Sequence, residues 1–193
     1  MSDYDEDDST IIKRVQSGDN DAFARLVDKY SQAIHNQMRN YSRDLRVCEE
    51  LAQDVFVEAF LSIGKYRGDS PFYNWLSRMA TYTGYTHWKK RDKKKKEVEF
   101  SEERDWMVNE PEPSEKDPEQ AKRLAYDMLA TLPDNDRIVL TLSYLEHCSH
   151  DEIAERLGWR QSLIAMRIFK AKAKLRKLAE NEPWKGKVRW MIS

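Results

Sequence analysis

The sequence predicts an all-α protein built from two small helical domains joined by a flexible acidic linker. Apolar residues recur at helical spacing along both halves of the chain, and no segment alternates with period two, so we expect no sheet. Between the halves, from Glu97 to Glu119, ten acidic residues accompany two basic ones. This stretch also contains Pro111, Pro113 and Pro118. Such a composition is typical of a solvated linker.

Composition and charge exclude several classes of protein. Of the 193 residues, 35% are charged and 40% hydrophobic. No apolar run approaches the roughly 20 residues that cross a bilayer, and the acidic residues 1–8 do not resemble a signal peptide. Cys48 and Cys148 form no spacing motif, which predicts reduced thiols in a cytoplasmic protein. The net charge is −1, but the basic residues are segregated into residues 89–96 and the last long helix.

The acidic stretch sets the predicted domain organisation. We expect an acidic N-terminal tail at residues 1–9, a first domain at 10–96, the linker at 97–118, a second domain at 119–180 and a C-terminal tail at 181–193. Each domain is small, so its core is expected to be modest.

The first domain is predicted to contain four helices. Three run from about Thr10 to Ser17, Asn20 to Tyr41 and Leu45 to Lys65, and the fourth begins at Pro71, which suits a first helical turn. The apolar face of the fourth helix comprises Phe72, Trp75, Leu76, Met79 and Tyr82.

A second face of the fourth helix is not explained by packing. It carries Asn74, Arg78, Thr81, Tyr85 and Trp88, and the lysine-rich run follows directly. Aromatic rings can stack on unpaired bases while nearby cations follow the backbone, so this pattern favours contact with single-stranded DNA. The alternative is that the aromatic residues are half-buried and the lysines only increase solubility.

Near the C-terminus the sequence predicts a helix-turn-helix. Ser149 and Glu152 have the spacing of a capping box at a helix start. Ile153 and Leu157 lie on one face, and Gly158 is placed to end the helix in a left-handed conformation.

The second helix of this motif is expected to reach about Leu178. Between Trp159 and Leu178 there are seven Lys or Arg residues and no acid. Its buried stripe is Ile164, Ile168, Ala171, Leu175 and Leu178. The remaining basic face suits a helix in a DNA groove, whereas the alternative is a basic amphipathic helix in an ordinary bundle.

These motifs, taken in order, resemble a known family: the group IV, or extracytoplasmic function (ECF), sigma factors of bacterial RNA polymerase. The resemblance covers about residues 10 to 180. It rests on Gly18-Asp19-x-x-Ala22-Phe23-x-x-Leu26-Val27-x-x-Tyr30, Glu49-Glu50-Leu51-Ala52-Gln53-Asp54-Val55-Phe56, Tyr66-Arg67-Gly68-Asp69-Ser70-x-Phe72-x-x-Trp75-Leu76 and Leu132-Pro133-x-x-x-Arg137, followed by the helix-turn-helix.

The resemblance implies sigma domains two and four, with domain three absent. Domain two in such proteins docks on the clamp helices of the largest polymerase subunit. The matching positions are Leu51, Gln53, Asp54, Phe56 and Glu58. Without the family, the acidic side of this helix would be interpreted as a solvated face.

Promoter melting is the second implied task. In the family, the loop before the fourth helix and the helix itself capture an unstacked base of the minus-ten element. The corresponding residues are Tyr66, Arg67, Gly68, Asp69, Ser70, Asn74, Arg78, Thr81, Tyr85, Trp88, Lys89 and Lys90.

Domain four of the family reads the minus-thirty-five element as duplex in the major groove. The matching candidates are Arg160, Gln161, Ser162, Ala165, Met166, Arg167, Lys170, Lys172 and Lys174. Arg167 could pair with guanine and Gln161 with adenine, whereas Lys172 and Lys174 are expected to hold phosphates.

Several positions depart from the family pattern. The family often has Asn near Tyr82, Lys where Ala165 stands, Ser or Thr where Arg160 stands, and Gly where His147 stands. These departures concern the promoter sequence rather than the fold.

The resemblance implies core RNA polymerase, promoter DNA and an anti-sigma factor as partners, with no cofactor, no metal and no enzymatic activity. One alternative is an enzyme, in which His147, Cys148 and His150 with Asp151 form a metal or thiol site, although no second ligand pair is present. Another is a stand-alone helix-turn-helix transcriptional regulator whose N-terminal half only senses or dimerises.

Overall fold

The computed structural model describes residues 6–99 and 118–180, with side chains at 6–91 and 124–180. These residues form helices, short turns and loops, and none of them lies in a strand. The predicted all-α class is therefore confirmed. Residues 1–5, most of the predicted linker (100–117) and the tail at 181–193 lie outside the described residues.

The described chain divides into two compact units between His87 and Trp88. The first unit contains α1 to α3 and the first part of α4, with short 3₁₀ turns after α1 and α3. The helices are α1 (Asp8–Gln16), α2 (Phe23–Met38), α3 (Leu45–Ser62) and α4 (Phe72–Glu99). The predicted helix starts lie within about three residues of these, because the capping residues are local signals: Asp7 accepts a hydrogen bond from the Thr10 amide at 2.7 Å, and Asp44 accepts one from Arg46 at 2.9 Å.

A buried polar network and one glycine hold α4 against α2. The Gln37 amide donates to the Ser77 carbonyl at 3.1 Å and to the Thr81 hydroxyl at 3.2 Å, and Ser77 donates back to Gln37 at 3.0 Å. Gly84 faces the ring of Tyr41, in the turn just after α2, and a Cβ added to Gly84 would lie 2.3 Å from that ring. The two helices therefore approach closely, which fixes the side of α4 that stays exposed.

The second unit contains the end of α4, from Trp88, and the helices that follow the linker. They are α5 (Pro118–Ala130), α6 (Asp134–Leu140), α7 (His150–Leu157) and α8 (Gln161–Ala179), and α6 continues into a π-helical turn at Thr141–Leu145. The core is apolar and includes Ile138, Leu142, Ile153, Ile164 and Ile168. α6 and α7 both pack on α8, so the buried stripe of α8 is covered and its opposite face is exposed.

The predicted helix-turn-helix is confirmed in its local geometry. Ser149 and Glu152 form the capping box, with the Ser149 amide donating to the Glu152 carboxylate at 2.7 Å. Gly158 adopts φ 65° and ends α7 in the left-handed region. The turn thus redirects the chain into α8 without strain.

His147 is the one non-glycine residue with a positive φ among the described residues, at 54°. The left-handed conformation costs a residue with a Cβ about 1–2 kcal/mol of stability. Glycine avoids this strain, but it lowers the free energy of unfolding by about 0.4–1 kcal/mol because it increases the entropy of the unfolded chain. We therefore expect His147→Gly to raise the free energy of unfolding by about 0.5–1 kcal/mol, measured by urea denaturation.

The matched control is Gly158→Ala. Gly158 has a similar φ and no atom within 4 Å of an added Cβ, so alanine there introduces the strain without a clash. It should lower the free energy of unfolding by about 1 kcal/mol. A lower stability for His147→Gly than for the wild type would contradict this account.

Candidate functional site

One side of α3 carries exposed apolar residues bordered by acids. We call it the α3 face, and it consists of Gln53, Asp54, Val57, Glu58 and Leu61. Val57 and Leu61 are 58% and 71% exposed, which is unusual for aliphatic side chains on a helix whose other side is buried. The face can offer a small apolar contact with negative charges around it.

Two predicted docking residues do not belong to this face. Leu51 and Phe56 are buried in the first unit, where they pack in the core beneath this face. The sequence analysis did not assign Val57 and Leu61 to a docking surface. Their spacing of four residues, outside the inward-facing positions of this helix, was the available signal.

The loop before α4 is held by an aromatic cluster. The Tyr66 hydroxyl donates to the Ser70 carbonyl at 2.6 Å, and the Tyr66 ring lies 5.5 Å from Phe72 and 5.2 Å from Trp75. Burial raises the pKa of Tyr66. Gly68 has φ 80°, which places the exposed Arg67 and Asp69 at the tip of the loop, where they pair at 3.2 Å. The tip is thus a preformed, solvent-facing turn.

The exposed side of α4 in the first unit is aromatic and basic. We call it the α4 stripe, and it consists of the exposed Asn74, Arg78 and Tyr82 and the half-buried Tyr85. Tyr82 is 72% exposed, so its predicted place in the apolar core is wrong. The exposed Lys89 and Lys90 follow on the same helix.

Two predicted DNA-binding residues of α4 are buried. Thr81 is 1% exposed and belongs to the network with Gln37. Trp88 is fully buried, and its ring centroid lies 3.7 Å from the guanidinium carbon of Arg137. In this conformation neither side chain is accessible to a base.

The exposed side of α8 is called the α8 face. It carries the predicted Ser162, Ala165, Met166, Lys170 and Lys172, together with Phe169, which was not predicted. Phe169 is 73% exposed in the middle of this basic helix, and Met166 is 45% exposed. An apolar side chain at such a position can contact a thymine methyl group. The predicted Arg160, just before α8, is also exposed.

Three other predicted residues of this region are engaged within the protein. Gln161 donates a hydrogen bond to Asp151. Arg167 and Lys174 both donate to Asp136 of α6. The structure thus places these side chains near the exposed face but gives each an intramolecular partner.

The residues considered for an enzyme do not form a metal or thiol site. In residues 6–99 and 118–180, no group of three or more His, Cys, Asp or Glu side chains is arranged to hold a metal ion. Cys148 is buried, and burial raises its pKa to about 11. Since the thiolate is the reactive form, this thiol is protonated at neutral pH and is a poor nucleophile.

Comparison with known proteins agrees with the two-unit arrangement. The family model described as Sigma-70 region 2 matches residues 26–94, and the model described as Sigma-70, region 4 matches residues 122–175. None of the described helices is both long and apolar enough to cross a membrane.

Full-length relatives match as well. The RNA polymerase sigma-H factor of Pseudomonas aeruginosa is 31% identical over 176 residues, which cover 86% of this chain and 91% of the relative. The ECF RNA polymerase sigma-E factor of Haemophilus influenzae is 28% identical over 186 residues, which cover 91% of this chain and 94% of the relative. The fold also matches that of the sigma factor RpoE from Bartonella quintana, which was solved in complex with the anti-sigma factor NepR. The TM-score is 0.57 and the sequence identity 17%, and the match covers 83% of this chain and 98% of the other.

The class defined by these findings is that of bacterial transcription initiation factors. The chain belongs to the sigma-70 family of RNA polymerase sigma factors, within its ECF subfamily.

Proposed function

We propose that this sigma factor binds core RNA polymerase, reads a minus-thirty-five element as duplex and melts a minus-ten element to start transcription. Each task is assigned to one of the exposed helix faces. The observation that carries the proposal is the α4 stripe, because a regulator that binds only duplex DNA has no use for an exposed tyrosine ring beside cations in its first unit.

The α3 face is the proposed docking surface for the polymerase. Val57 and Leu61 provide the apolar centre, and Asp54 and Glu58 provide charges that steer a basic partner. This surface differs from the one predicted from the sequence, since Leu51 and Phe56 are replaced by the two exposed aliphatic residues.

The loop tip and the α4 stripe are the proposed minus-ten site. Arg67 and Asp69 offer polar groups to the edge of an extruded base, and Tyr82 and Tyr85 offer ring faces for stacking. Arg78, one helical turn before Tyr82 on the exposed stripe, can hold a phosphate. Unpairing costs a few kcal/mol per step, which these contacts offset without ATP.

The α8 face is the proposed reader of duplex DNA. Arg160 and Ser162 lie at the start of α8, the part of a recognition helix that reaches base edges, and Lys170 and Lys172 lie further along, where phosphates pass. Lys172 also lies 5.1 Å from the ring of Tyr144, which holds it toward one edge of the face.

Regulation and location follow from the same family membership. We propose a cytoplasmic, non-catalytic protein that uses no cofactor and is held inactive by an anti-sigma factor. The α3 face is the surface that such an inhibitor would cover, because its exposed apolar residues are unprotected in the free unit.

The test of the minus-ten assignment is Tyr82→Ala in the complex with core polymerase. Loss of one stacked ring costs about 1–3 kcal/mol, so open-complex formation on a fully duplex promoter should fall by about tenfold to a hundredfold. Heparin-resistant complexes or run-off transcripts measure this. On a template whose minus-ten region is already unpaired, most of the loss should disappear.

The conservative control is Tyr82→Phe, which keeps the ring and removes the hydroxyl. It should retain nearly full opening. Equal losses for both variants would show that the hydroxyl group, through a hydrogen bond, and not the ring accounts for the contribution of Tyr82. Full activity of Tyr82→Ala would show that Tyr82 is not part of the minus-ten site.

A further inference from the structure

A buried carboxylate lies behind the DNA-facing helix of the second unit. Asp136 of α6 has a side chain only 8% exposed, and its two oxygens accept from two cations of α8. Arg167 approaches one oxygen at 3.4 Å, and Lys174 pairs with the other. Residues 167 and 174 are two helical turns apart, so both project from the same side of α8.

Arg167 has a second restraint. Its guanidinium lies 5.2 Å from the ring centroid of Trp159, in the turn before α8, and its side chain is 29% exposed. A long side chain held between a carboxylate and an aromatic face has lost most of its rotamer freedom before DNA arrives. Its remaining exposed edge therefore points in a defined direction.

We propose that Asp136 is a specificity-determining positioning residue for DNA reading by α8; this inference rests on the proposed function. The Asp136 carboxylate neutralises one of the two positive charges of Arg167 and Lys174. This weakens the attraction to DNA phosphates, whatever the DNA sequence. The same carboxylate orients Arg167 at the edge of the α8 face. Asp136 thus shifts the balance from sequence-independent attraction toward base discrimination without touching DNA.

The experiment uses the full chain in complex with core polymerase. Duplex DNA carrying a minus-thirty-five element selected from a random library is compared with a scrambled duplex at several salt concentrations. For Asp136→Asn, affinity for the scrambled duplex should rise severalfold, and the salt dependence should steepen by about one unit because one more phosphate contact becomes available. The ratio of selected to scrambled affinity should fall by about tenfold.

The charge-matched control is Glu146→Gln. Glu146 is the acid of another buried pair in the same unit, with Arg156 at 2.7 Å, and neither residue lies on α8. The Glu146→Gln substitution removes one negative charge, as Asp136→Asn does, and should leave both the salt slope and the affinity ratio near the wild-type values. Equal effects of the two variants would overturn the proposal. A wild-type complex without preference for any minus-thirty-five sequence would instead overturn the proposed function.

A second pair of variants changes lysines of α8 and leaves Asp136 itself intact. Lys174→Gln should barely change the salt slope, since Asp136 already neutralises this cation. Lys170→Gln, at an exposed lysine of the same helix, should reduce the slope by about one unit. The opposite ranking would show that Lys174 binds phosphate in spite of Asp136 and would contradict the assignment.

Discussion

Replacing Gly84 with alanine should destabilise the first unit by about 1–3 kcal/mol, a large part of the stability of a small domain. The added Cβ would lie 2.3 Å from two ring carbons of Tyr41 and 2.7 Å from a third. Tyr41 is 1% exposed, so the ring cannot move aside without opening the contact between α4 and the turn that follows α2. The gain of about 1 kcal/mol in helix propensity is too small to cancel the clash.

Urea unfolding followed by circular dichroism measures the effect. Gly64→Ala is the matched control, because an added Cβ at Gly64 meets no atom within 4 Å. It should be neutral or slightly stabilising. Combining Gly84→Ala with Tyr41→Leu should recover part of the loss relative to the sum of the single variants, since the two residues are in contact. A Gly84→Ala protein as stable as the wild type would mean that α4 does not pack this closely.

Leu61→Asp should weaken binding to core RNA polymerase by about thirtyfold or more, because an apolar residue at the centre of an interface commonly carries about 2 kcal/mol or more. The side chain is 71% exposed, so the substitution should leave the unfolding midpoint nearly unchanged. Val57→Asp should act in the same direction. Asp54→Lys combined with Glu58→Lys should mainly slow association and alter its salt dependence.

Leu45→Asp is the control for surface hydrophobicity. Leu45 is 57% exposed on the same helix but sixteen residues earlier, roughly 24 Å along the axis at about 1.5 Å per residue. It should bind polymerase like the wild type. If Leu61→Asp and Leu45→Asp bind equally well, the docking surface does not lie on the α3 face.

The helix starts and the helix-turn-helix could be predicted from the sequence because their signals are local. Ser149, Glu152 and Gly158 satisfy backbone groups within one or two turns of themselves, so no knowledge of the tertiary fold was needed. The left-handed His147 also agrees with the glycine that the family usually places there.

The exposed sides of α3 and α4 were harder to predict because they depend on tertiary packing. Thr81 points inward to a buried amide of α2, whereas Tyr82, the next residue, points to solvent. Periodicity alone favours the tyrosine for the core, because it is the larger apolar residue. Val57 and Leu61 fall outside the inward-facing positions of α3, but periodicity alone does not show that two exposed aliphatic residues form a contact surface.

The pairing of Asp136 with two cations of α8 could not be predicted for a similar reason. It precedes Arg137 in a segment that resembles the family, but its partners Arg167 and Lys174 are more than thirty residues further along the chain. Nothing in the sequence near Asp136 indicates which cations it meets. Such long-range ion pairs become visible only when α6 and α8 are placed side by side.

The most direct test of the central claim is the addition of the purified chain to bacterial core RNA polymerase at moderate salt, followed by sizing chromatography and transcription from a promoter library. We expect a one-to-one complex that initiates from a restricted set of promoters, while core polymerase alone does not. A chain that elutes separately with no inhibitor bound, yet still binds duplex DNA, would contradict the account and favour a stand-alone regulator.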